Sequence, residues 1–307
     1  MIYSRYQYNQ NWNIGFSADS VESFIENKGL GKIQWMKHRY KDRFFADPFI
    51  LRINKDEITI LCEEYIIKKS KGTIVKLTVD KWSKKLIDRA LILELDTHLS
   101  YPAFIKIEKS IYIYPENSES GKLTLYSYND TSNEVRPVKN LINEALVDAT
   151  IFNYKGKYWL LATKVPNTQG EAFLYVSNSF YDNYTPIGYG PIAEGKSFSR
   201  PAGNFIIYKD AIYRPAQNCV KRYGSGIMVQ KIDILTEELY VESNEFSIYP
   251  NSFKYNLGLH TINFNGNVCV VDGYGYLYPI IGRIFNMISV IKRINCCNTF
   301  VSILKKL

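Results

Sequence analysis

The stretch FADPFILRINKDEITILCEE (residues 45–64) sets a pattern that four later stretches repeat. A polar residue stands before a proline or small residue, an alternating apolar strand follows, and a short polar turn leads into a second strand that ends on polar residues. The later copies are LSYPAFIKIEKSIYIYPEN (99–117), VDATIFNYKGKYWLLATK (147–164), SRPAGNFIIYKDAIYRPAQN (199–218) and LHTINFNGNVCVVDG (259–273).

The spacing of the copies predicts the fold. The leading polar residues are 54, 47, 52 and 60 positions apart, and they are Asp47, Tyr101, Asp148, Arg200 and His260. A repeat of about 50 residues suits one four-stranded propeller blade, with third strands expected at 72–79, 122–128, 172–177 and 226–232. The 25 tyrosines and 16 phenylalanines also favour strands. We therefore predict an all-β, five-bladed β-propeller, with a β-sandwich as the alternative.

The repeat also predicts a functional site. The inner strand of each propeller blade lines the central channel, so the five leading residues should converge at one mouth. The second strands end nearby on further polar residues, which are Glu63, Glu64, Glu116, Lys164, Arg214, Gln217 and Asp272. So many ionisable groups at matching repeat positions indicate a binding or catalytic role.

Several motifs resemble known propeller families. FADPF, LSYP, YPEN, VDAT, SRPAGN, YRPAQN, YGSGI, LHTIN and VDG resemble, in this order, the N-terminal module of glucosamine inositolphosphorylceramide transferases. The resemblance covers about residues 10–275, and bacterial stand-alone relatives are typically found among surface-polysaccharide genes. The chain is more distantly similar to arabinanase- and invertase-type hydrolases.

The hydrolase resemblance implies roles for two carboxylates. Asp47 matches the base or nucleophile, and Asp148 matches the carboxylate that orients and tunes it. The position of the arabinanase general acid carries Arg200 instead. A phosphate leaving group needs positive charge rather than a proton, and arginine suits phosphate well. We therefore expect a glycosyltransferase, or a closely coupled sugar-processing protein, with a phosphate-activated donor. Arg200, Arg214, His260 and Lys164 would hold the donor, and Gln217, Tyr101 and Asp272 would also line the site.

Other assignments stay open. Glu63, Glu64 or Glu116 could serve as general acid, which would favour a furanosidase-type hydrolase; Glu64 and Glu116 are the named catalytic candidates. Arg200 could merely neutralise Asp148. A non-catalytic, carbohydrate-binding propeller is a third candidate. No cofactor is predicted, although a metal ion near His260 is left open.

The remaining sequence predicts a separate tail. Residues 1–276 are assigned to the propeller, with a short helical signal at Asp19–Asn27. Residues 277–307 are assigned to a basic amphipathic helix, with apolar residues three and four apart. The segment from Gly273 onward has no acidic residue and five basic ones, which leaves about +3 of the net charge of +8 for the remainder. A basic amphipathic helix typically lies on an anionic membrane surface. The alternative is that the helix packs on the propeller or closes a dimer.

The overall composition limits the partners and the compartment. The nearly neutral body argues against nucleic-acid binding. Five scattered cysteines indicate neither zinc nor a disulfide framework. We found no signal-peptide pattern and no run of about 18 apolar residues. The expected setting is the cytoplasmic face of a membrane, in capsule, O-antigen or related glycoconjugate assembly, with a glycan or lipid-linked acceptor. The oligomeric state is not predicted.

Overall fold

The computed structural model describes residues 10–284 and 287, and it confirms an all-β, five-bladed propeller. One short helix, α1, spans Val21–Glu26. The strands in chain order are β1 (Gln10–Ser17), β2 (Gln34–Trp35), β3 (Arg43–Ile53), β4 (Glu57–Ile66), β5 (Lys71–Asp80), β6 (Leu86–Leu93), β7 (Phe104–Ile107), β8 (Ser110–Ile113), β9 (Leu123–Asn129), β10 (Glu134–Ile142), β11 (Leu146–Tyr154), β12 (Lys157–Lys164), β13 (Glu171–Ser177), β14 (Thr185–Pro186), β15 (Ala193–Glu194), β16 (Ile206–Tyr208), β17 (Ala211–Asn218), β18 (Gly226–Leu235), β19 (Tyr240–Ile248), β20 (Ile262–Asn265) and β21 (Val268–Tyr276).

Each repeat of the sequence forms one antiparallel blade. The first four blades are β3–β6, β7–β10, β11–β15 and β16–β19. Within each blade, the two strands of the sequence repeat come first, and the third strand is the one predicted from the sequence: β5, β9, β13 or β18. The recurring strand-turn-strand pattern of the sequence therefore predicted both the number of blades and the order of the strands within each blade.

The fifth blade is built from both ends of the described chain. Strands β20 and β21 form its inner half, while β1 and β2 supply its third and outer strands. The pairing of β1 with β21 runs from Gln10 opposite Tyr276 to Ser17 opposite Cys269. The N-terminal strand therefore closes the ring of blades.

The hydrophobic core is divided among the seams between blades. Five clusters of buried side chains are found in the described residues; four join two neighbouring blades, and the one between blades two and three also includes Phe49 of blade one. The seam of blades one and two, for example, packs Leu51 and Ile74 against Leu99 and Ile113. Complete burial of such a side chain contributes about 1.5–3 kcal/mol. The apolar alternation of the repeat is thus used to join blades, which leaves the channel end of each inner strand to polar residues.

Helix α1 confirms the helical signal at Asp19–Asn27. Ser20 caps the helix by accepting a hydrogen bond from the Ser23 backbone N–H at 3.1 Å. Phe24 and Ile25 are buried in the seam between blades four and five. The helix is a short cover on that seam.

Only the beginning of the predicted tail falls within the described residues. Strand β21 ends at Tyr276, and residues 279–284 are helical. The remainder of 277–307, apart from residue 287, lies outside the described residues, so the amphipathic helix and the domain boundary stay predictions. Across the described part of the chain, no helix has the length and apolarity needed to span a membrane.

Candidate functional site

Backbone bulges aim two carboxylates into the centre of the propeller. The β3–β4 register shifts between Ala46 and Phe49, and the β11–β12 register shifts between Val147 and Thr150. Asp47 and Asp148 lie within these bulges, with φ angles of 52° and 50°. Bulges redirect side chains, and left-handed φ angles in residues other than glycine are concentrated at functional sites. The matching geometry explains why residues a hundred positions apart share one site.

Asp47 lies at the centre of a hydrogen-bond network between blades. Its Oδ1 accepts a hydrogen bond from the Thr261 hydroxyl at 2.8 Å, and its Oδ2 accepts one from the Tyr101 N–H at 3.1 Å. Its own N–H donates to Asp272 Oδ2 at 3.0 Å. The pKa of Asp47 is raised to about 6, mainly by burial; the charge of His260 opposes this rise, and the charges of Asp148 and Asp272 add to it.

Asp272 and His260 form a buried pair beside Asp47. His260 Nδ1 is 2.6 Å from Asp272 Oδ2, and His260 Nε2 is 3.6 Å from Asp47 Oδ1. Asp272 Oδ1 also accepts hydrogen bonds from the N–H groups of His260 and Thr261. Burial by itself lowers the pKa of His260, but the nearby carboxylates overcome this effect and leave the pKa raised. Protonation of His260, which the raised pKa favours, places positive charge between two carboxylates.

Asp148 is held by a cation and an amide. Arg200 Nε donates to Asp148 Oδ2 at 2.6 Å, and Gln217 Nε2 donates to the same oxygen at 2.7 Å. The side chains of Arg200 and Asp148 are 11% and 3% exposed. Arg200 therefore neutralises Asp148, one of the alternatives that the sequence left open.

Glu116 has the properties of a proton donor. Its Oε1 accepts a hydrogen bond from the Ser118 hydroxyl at 3.1 Å, whereas its Oε2 has no hydrogen-bond partner among the described residues. That oxygen is 3.8 Å from Arg200 Nη2. The pKa of Glu116 is raised to about 8, mainly by burial and also by the charge of Asp148, while Arg200 opposes the rise. The carboxyl group is therefore protonated at neutral pH.

Glu63 is a second carboxyl group near the channel whose pKa is raised. Burial raises its pKa well above the usual range, and the charges of Asp47, Glu116, Asp272 and Asp148 add to the rise. His98 Nε2 is 3.5 Å from Glu63 Oε1, at the edge of the site. Five acids thus surround two cations, so some of the acids must carry protons.

Three residues predicted for the site lie in structural ion pairs instead. Both carboxylate oxygens of Glu64 accept hydrogen bonds from Arg89, and Oε1 also accepts one from Arg43. Successive strand residues face opposite sides of a sheet, so Glu64 faces away while Glu63 meets the channel acids.

The two predicted phosphate-binding cations on the second strands are also engaged elsewhere. Arg214 pairs with Glu242 at 2.5 Å and donates to the Phe198 carbonyl at 2.8 Å. Lys164 pairs with Glu144 at 2.5 Å and lies 4.1 Å above the Phe173 ring. These contacts engage both side chains within the protein, and their assignment to phosphate binding stays a prediction.

Tyr101 forms buried hydrogen bonds between blades beside the site. Its hydroxyl is 2.8 Å from Thr150 Oγ1 and accepts a hydrogen bond from the Gly203 N–H at 2.7 Å. The side chain is fully buried, and its φ is 43°. Tyr101 thus connects the Thr150 hydroxyl of blade three with the Gly203 backbone of the blade-four repeat.

Two aromatic residues that the sequence analysis did not select complete the mouth. Trp12 on β1 stacks on His260, with ring centroids 3.9 Å apart. The Tyr223 ring lies 5.0 Å from the Arg200 guanidinium carbon and meets His260 edge-on. Gly224 permits this approach, because a Cβ there would lie 2.7 Å from the His260 Cβ. The motif YGSGI (223–227) was the available signal for Tyr223.

An aromatic groove opens beside these residues. It has a volume of about 650 Å³, and its aromatic lining consists of Trp12, Phe44, Tyr65, Tyr223 and Tyr274. The Phe44 and Tyr65 rings are stacked 4.8 Å apart. Aromatic faces backed by polar groups are well suited to the apolar faces of sugar rings.

Asp47, His260 and Asp272 could hold a metal ion, since each offers a ligand atom and these atoms lie within 4.8 Å of one another. The carboxylate oxygens of this group, however, already accept hydrogen bonds, and the carboxylates raise the pKa of His260, which favours a balancing positive charge on the imidazole. The donor set therefore fits a proton on His260 better than a metal ion.

The fold and this channel define a five-bladed β-propeller with a buried, carboxylate-rich centre and an aromatic mouth. The family model described as glucosamine inositolphosphorylceramide transferase 1, N-terminal, matches residues 18–256. The chain belongs to this family. The transferase 1 proteins of Oryza sativa subsp. japonica and Arabidopsis thaliana are each 30% identical, over 210 and 212 residues.

These matches cover 66% and 65% of this chain but 28% and 27% of the plant proteins. The chain thus spans about a quarter of the length of the relatives that it matches. Among solved structures, a family-43 β-xylosidase/α-arabinofuranosidase from a compost metagenome aligns with a TM-score of 0.54 at 13% identity, covering 78% of this chain and 93% of the other. The β-xylosidase RS223 aligns with a TM-score of 0.55 at 10% identity, covering 77% and 95%. These structural likenesses establish a shared propeller fold.

Proposed function

We propose that the channel is the active site of a sugar-processing enzyme that breaks a glycosidic bond and passes the glycosyl unit to an acceptor. Glu116 is the proton donor to the leaving oxygen, and Asp47 is the base or nucleophile. The observation that carries this proposal is the separation of protonation states in one buried site. The pKa of Asp47 is about 6 and that of Glu116 is about 8, so at pH 7 the first is largely ionised and the second protonated.

Each further side chain has a role in keeping this separation. His260, held by Asp272, places positive charge near Asp47 and favours its ionised form. Asp148 raises the pKa of Glu116, and Arg200 limits that rise. Oxocarbenium-like transition states need such a pair of carboxyl groups, one charged and one neutral.

The contacts of the predicted phosphate-binding cations bear on the kind of leaving group that we propose. A phosphate-activated donor was expected because Arg200, Arg214, Lys164 and His260 could receive its charge. Arg200 faces Asp148, while Arg214 and Lys164 pair with Glu242 and Glu144. A protonated Glu116 instead suits an alcohol leaving group, so the donor that we propose is a glycoside. The acceptor is a glycan or lipid-linked sugar, and hydrolysis is the same chemistry with water as acceptor.

A sugar-binding role without chemistry is the second candidate. The aromatic groove beside the channel supports it, since stacking faces bind sugar rings without any acid or base. The family name is that of a transferase whose other three quarters have no counterpart in this chain. In this role the propeller would present a glycan to a catalytic partner.

The cellular setting stays a prediction from the sequence. Capsule, O-antigen or related glycoconjugate assembly fits an enzyme that transfers glycosyl units. The basic segment 277–307 would then hold it on the cytoplasmic face of a membrane.

The test uses two kinds of substrate with two variants. The chain is assayed on a panel of nitrophenyl glycosides and of free oligosaccharides, with and without an added alcohol acceptor. Asp47→Asn should abolish turnover of both kinds. Glu116→Gln should reduce turnover of oligosaccharides on the order of 10²-fold or more while sparing nitrophenyl glycosides, because nitrophenolate leaves without a proton.

Glu134→Gln is the matched control, since Glu134 is exposed on an outer strand. Equal losses on both substrates in Glu116→Gln would contradict the acid role. Oligosaccharide binding without turnover, unchanged in Asp47→Asn, would support the binding role. Products carrying the added alcohol distinguish transfer from hydrolysis.

A further inference from the structure

A second cavity, outside the channel, lies at the seam where blade five meets blade one. Its volume is about 630 Å³. It is bordered by β1, by the segment that follows β2, and by the chain near Lys254 and Leu277. Trp12 lines both this cavity and the aromatic groove, so the two are neighbours.

Two glycines on β21 let the walls of this cavity pack directly on the strand. A Cβ on Gly273 would lie 2.2 Å from the Trp35 ring, and a Cβ on Gly275 would lie 1.9 Å from the Lys254 carbonyl oxygen. These positions are two residues apart and therefore face the same side of the sheet. Trp35 and the segment carrying Lys254 and Tyr255 can thus pack directly on the strand. The rings of Trp35 and Tyr255, 4.4 Å apart, form an aromatic wall.

Polar side chains line the same region of the sheet. Asn13 pairs with Gly273 and Asn11 pairs with Gly275 in the β1–β21 ladder, and both asparagines line the cavity. Asn13 Nδ2 donates to the Tyr255 hydroxyl at 2.9 Å. Asn13 Oδ1 and His38 Nδ1 are buried polar atoms without a hydrogen-bond partner among the described residues. Buried polar atoms normally have partners, so two without one beside a cavity indicate that a polar ligand or water completes them.

The rim carries positive charge that no carboxylate balances. Lys37, Arg39 and Lys41 are exposed and Lys254 is half-buried, and none of the four has an ion-pair partner within residues 10–284. Asp42, the nearest acid in sequence, pairs with Arg43 at 2.8 Å instead. The described lining residues include no Asp or Glu.

The electrostatics of His38 agree with this charge distribution. The pKa of His38 is lowered to about 4, mainly by burial and also by the positive charge of Lys254. His38 is therefore neutral, and its buried Nδ1 has no hydrogen-bond partner among the described residues.

The cavity is also held rigidly. The Lys37 N–H donates to the Lys84 carbonyl at 2.8 Å, and the Lys37 carbonyl accepts from the Leu86 N–H at 3.0 Å. The Met36 N–H donates to the Ile14 carbonyl at 2.8 Å. The segment carrying the cations is thus tied to blade five on one side and to blade one on the other.

We propose that this cavity is a binding site for a phosphate-bearing ligand, with a diphosphate the best match to four cations around an aromatic wall. Arginine and lysine provide the charge-assisted hydrogen bonds that phosphate oxygens accept. The ligand is either a soluble nucleoside diphosphate or the diphosphate headgroup of a lipid. The inference is independent of the channel chemistry, and a variant inactivated by Asp47→Asn should bind as the unaltered chain does.

The test measures binding to the full chain by titration calorimetry. The probes are inorganic pyrophosphate, uridine diphosphate, and phosphatidylcholine vesicles with or without a polyprenyl diphosphate. The variant Lys37→Gln/Arg39→Gln/Lys41→Gln removes three rim charges. The control Lys55→Gln/Lys109→Gln/Lys155→Gln removes three charges from exposed hairpin turns.

We expect saturable binding that weakens about tenfold or more in the rim variant and stays unchanged in the control. Binding of pyrophosphate or uridine diphosphate would identify the soluble source, and binding of the diphosphate vesicles alone would identify the lipid source. Equal weakening in both triple variants would overturn the proposal by showing a net-charge effect. Absence of saturable binding to every probe would also overturn it. Loss of turnover in Asp47→Asn with binding intact would separate the two proposals.

Discussion

Arg200 joins two carboxyl groups of different character, with its Nε 2.6 Å from Asp148 Oδ2 and its Nη2 3.8 Å from Glu116 Oε2. The guanidinium charge neutralises Asp148, and it only partly offsets the rise in the pKa of Glu116. The occupant of the position where the hydrolase acid was expected therefore controls an acid contributed by another blade.

This relationship predicts the alkaline limb of the activity profile. Arg200→Gln removes the charge that lowers the pKa of Glu116, so the limb set by Glu116 should move to higher pH. The measurement is kcat/KM for an oligosaccharide between pH 5 and 10. Arg136→Gln, which changes an exposed arginine, is the control. If the alkaline limb of the kcat/KM profile does not move in Arg200→Gln, Glu116 is not the general acid.

The buried acids also predict how stability depends on pH. Glu116 has a pKa of about 8 in the folded chain against 4.5 ordinarily, and Asp47 about 6 against 3.8. Between pH 4.5 and 8 the folded state therefore binds more protons than the unfolded state, and the free energy of unfolding should fall as pH rises. The raised pKa of His260 acts in the same direction.

Glu116→Gln should flatten this dependence. We expect the variant to lose a contribution on the order of 2–4 kcal/mol to the difference in unfolding free energy between pH 5 and pH 8. Urea unfolding at both pH values measures it, and Glu134→Gln should retain the dependence of the unaltered chain. A steeper slope in Glu116→Gln would contradict the raised pKa.

The pair of Arg214 and Glu242 should be structural. Arg214→Met leaves a buried carboxylate unpaired and removes the donor to the Phe198 carbonyl, so we expect a loss of about 3–5 kcal/mol in unfolding free energy. The double variant Arg214→Met/Glu242→Gln should recover part of this loss. Sugar affinity measured below the melting transition should not change. Lower affinity at unchanged stability would restore Arg214 to the site.

Trp12 should contribute to ligand binding and to the position of His260. Trp12→Ala removes a ring stacked 3.9 Å from His260, so oligosaccharide affinity should fall on the order of tenfold. Trp12→Phe keeps an aromatic face and should retain most of the affinity. Thermal shift with and without oligosaccharide, together with calorimetry, measures both variants. Equal affinities in Ala and Phe would remove Trp12 from the binding surface.

The sequence predicted the fold because its repeat has a period. Hairpins at nearly constant spacing identified blades one to four and the third strand of each. The fifth copy contains only β20 and β21, so two strands had to come from elsewhere in the chain. The two missing strands indicate that another segment must complete blade five, and β1 and β2 do so. Assigning β1 to this blade also places Trp12 near the channel.

The site was predicted less completely, because a side chain reaches the channel only from the channel-facing side of its strand. The spacing of the repeats does not determine which residues lie on that side. Asp47, Asp148, Arg200, Gln217, His260 and Asp272 lie together as the alignment of the copies indicates. Glu63 and Glu64 are adjacent in sequence, and only the observed pairing of β3 with β4 shows which of them faces the channel. The partners of Arg214 and Lys164 come from other strands that the repeat pattern does not specify.

The pairing of β1 with β21 has a consequence for biosynthesis. Gln10 emerges from the ribosome long before Tyr276, its partner in the ladder. Four blades can therefore assemble as an open arc while the first strand waits with its hydrogen-bonding groups unpaired. Another nascent copy could offer its own β21 edge to that strand during this interval, which would give an exchanged dimer. The interval before the ribosome releases blade five is thus the stage at which a high local concentration of identical nascent chains should lower the yield of the unexchanged fold.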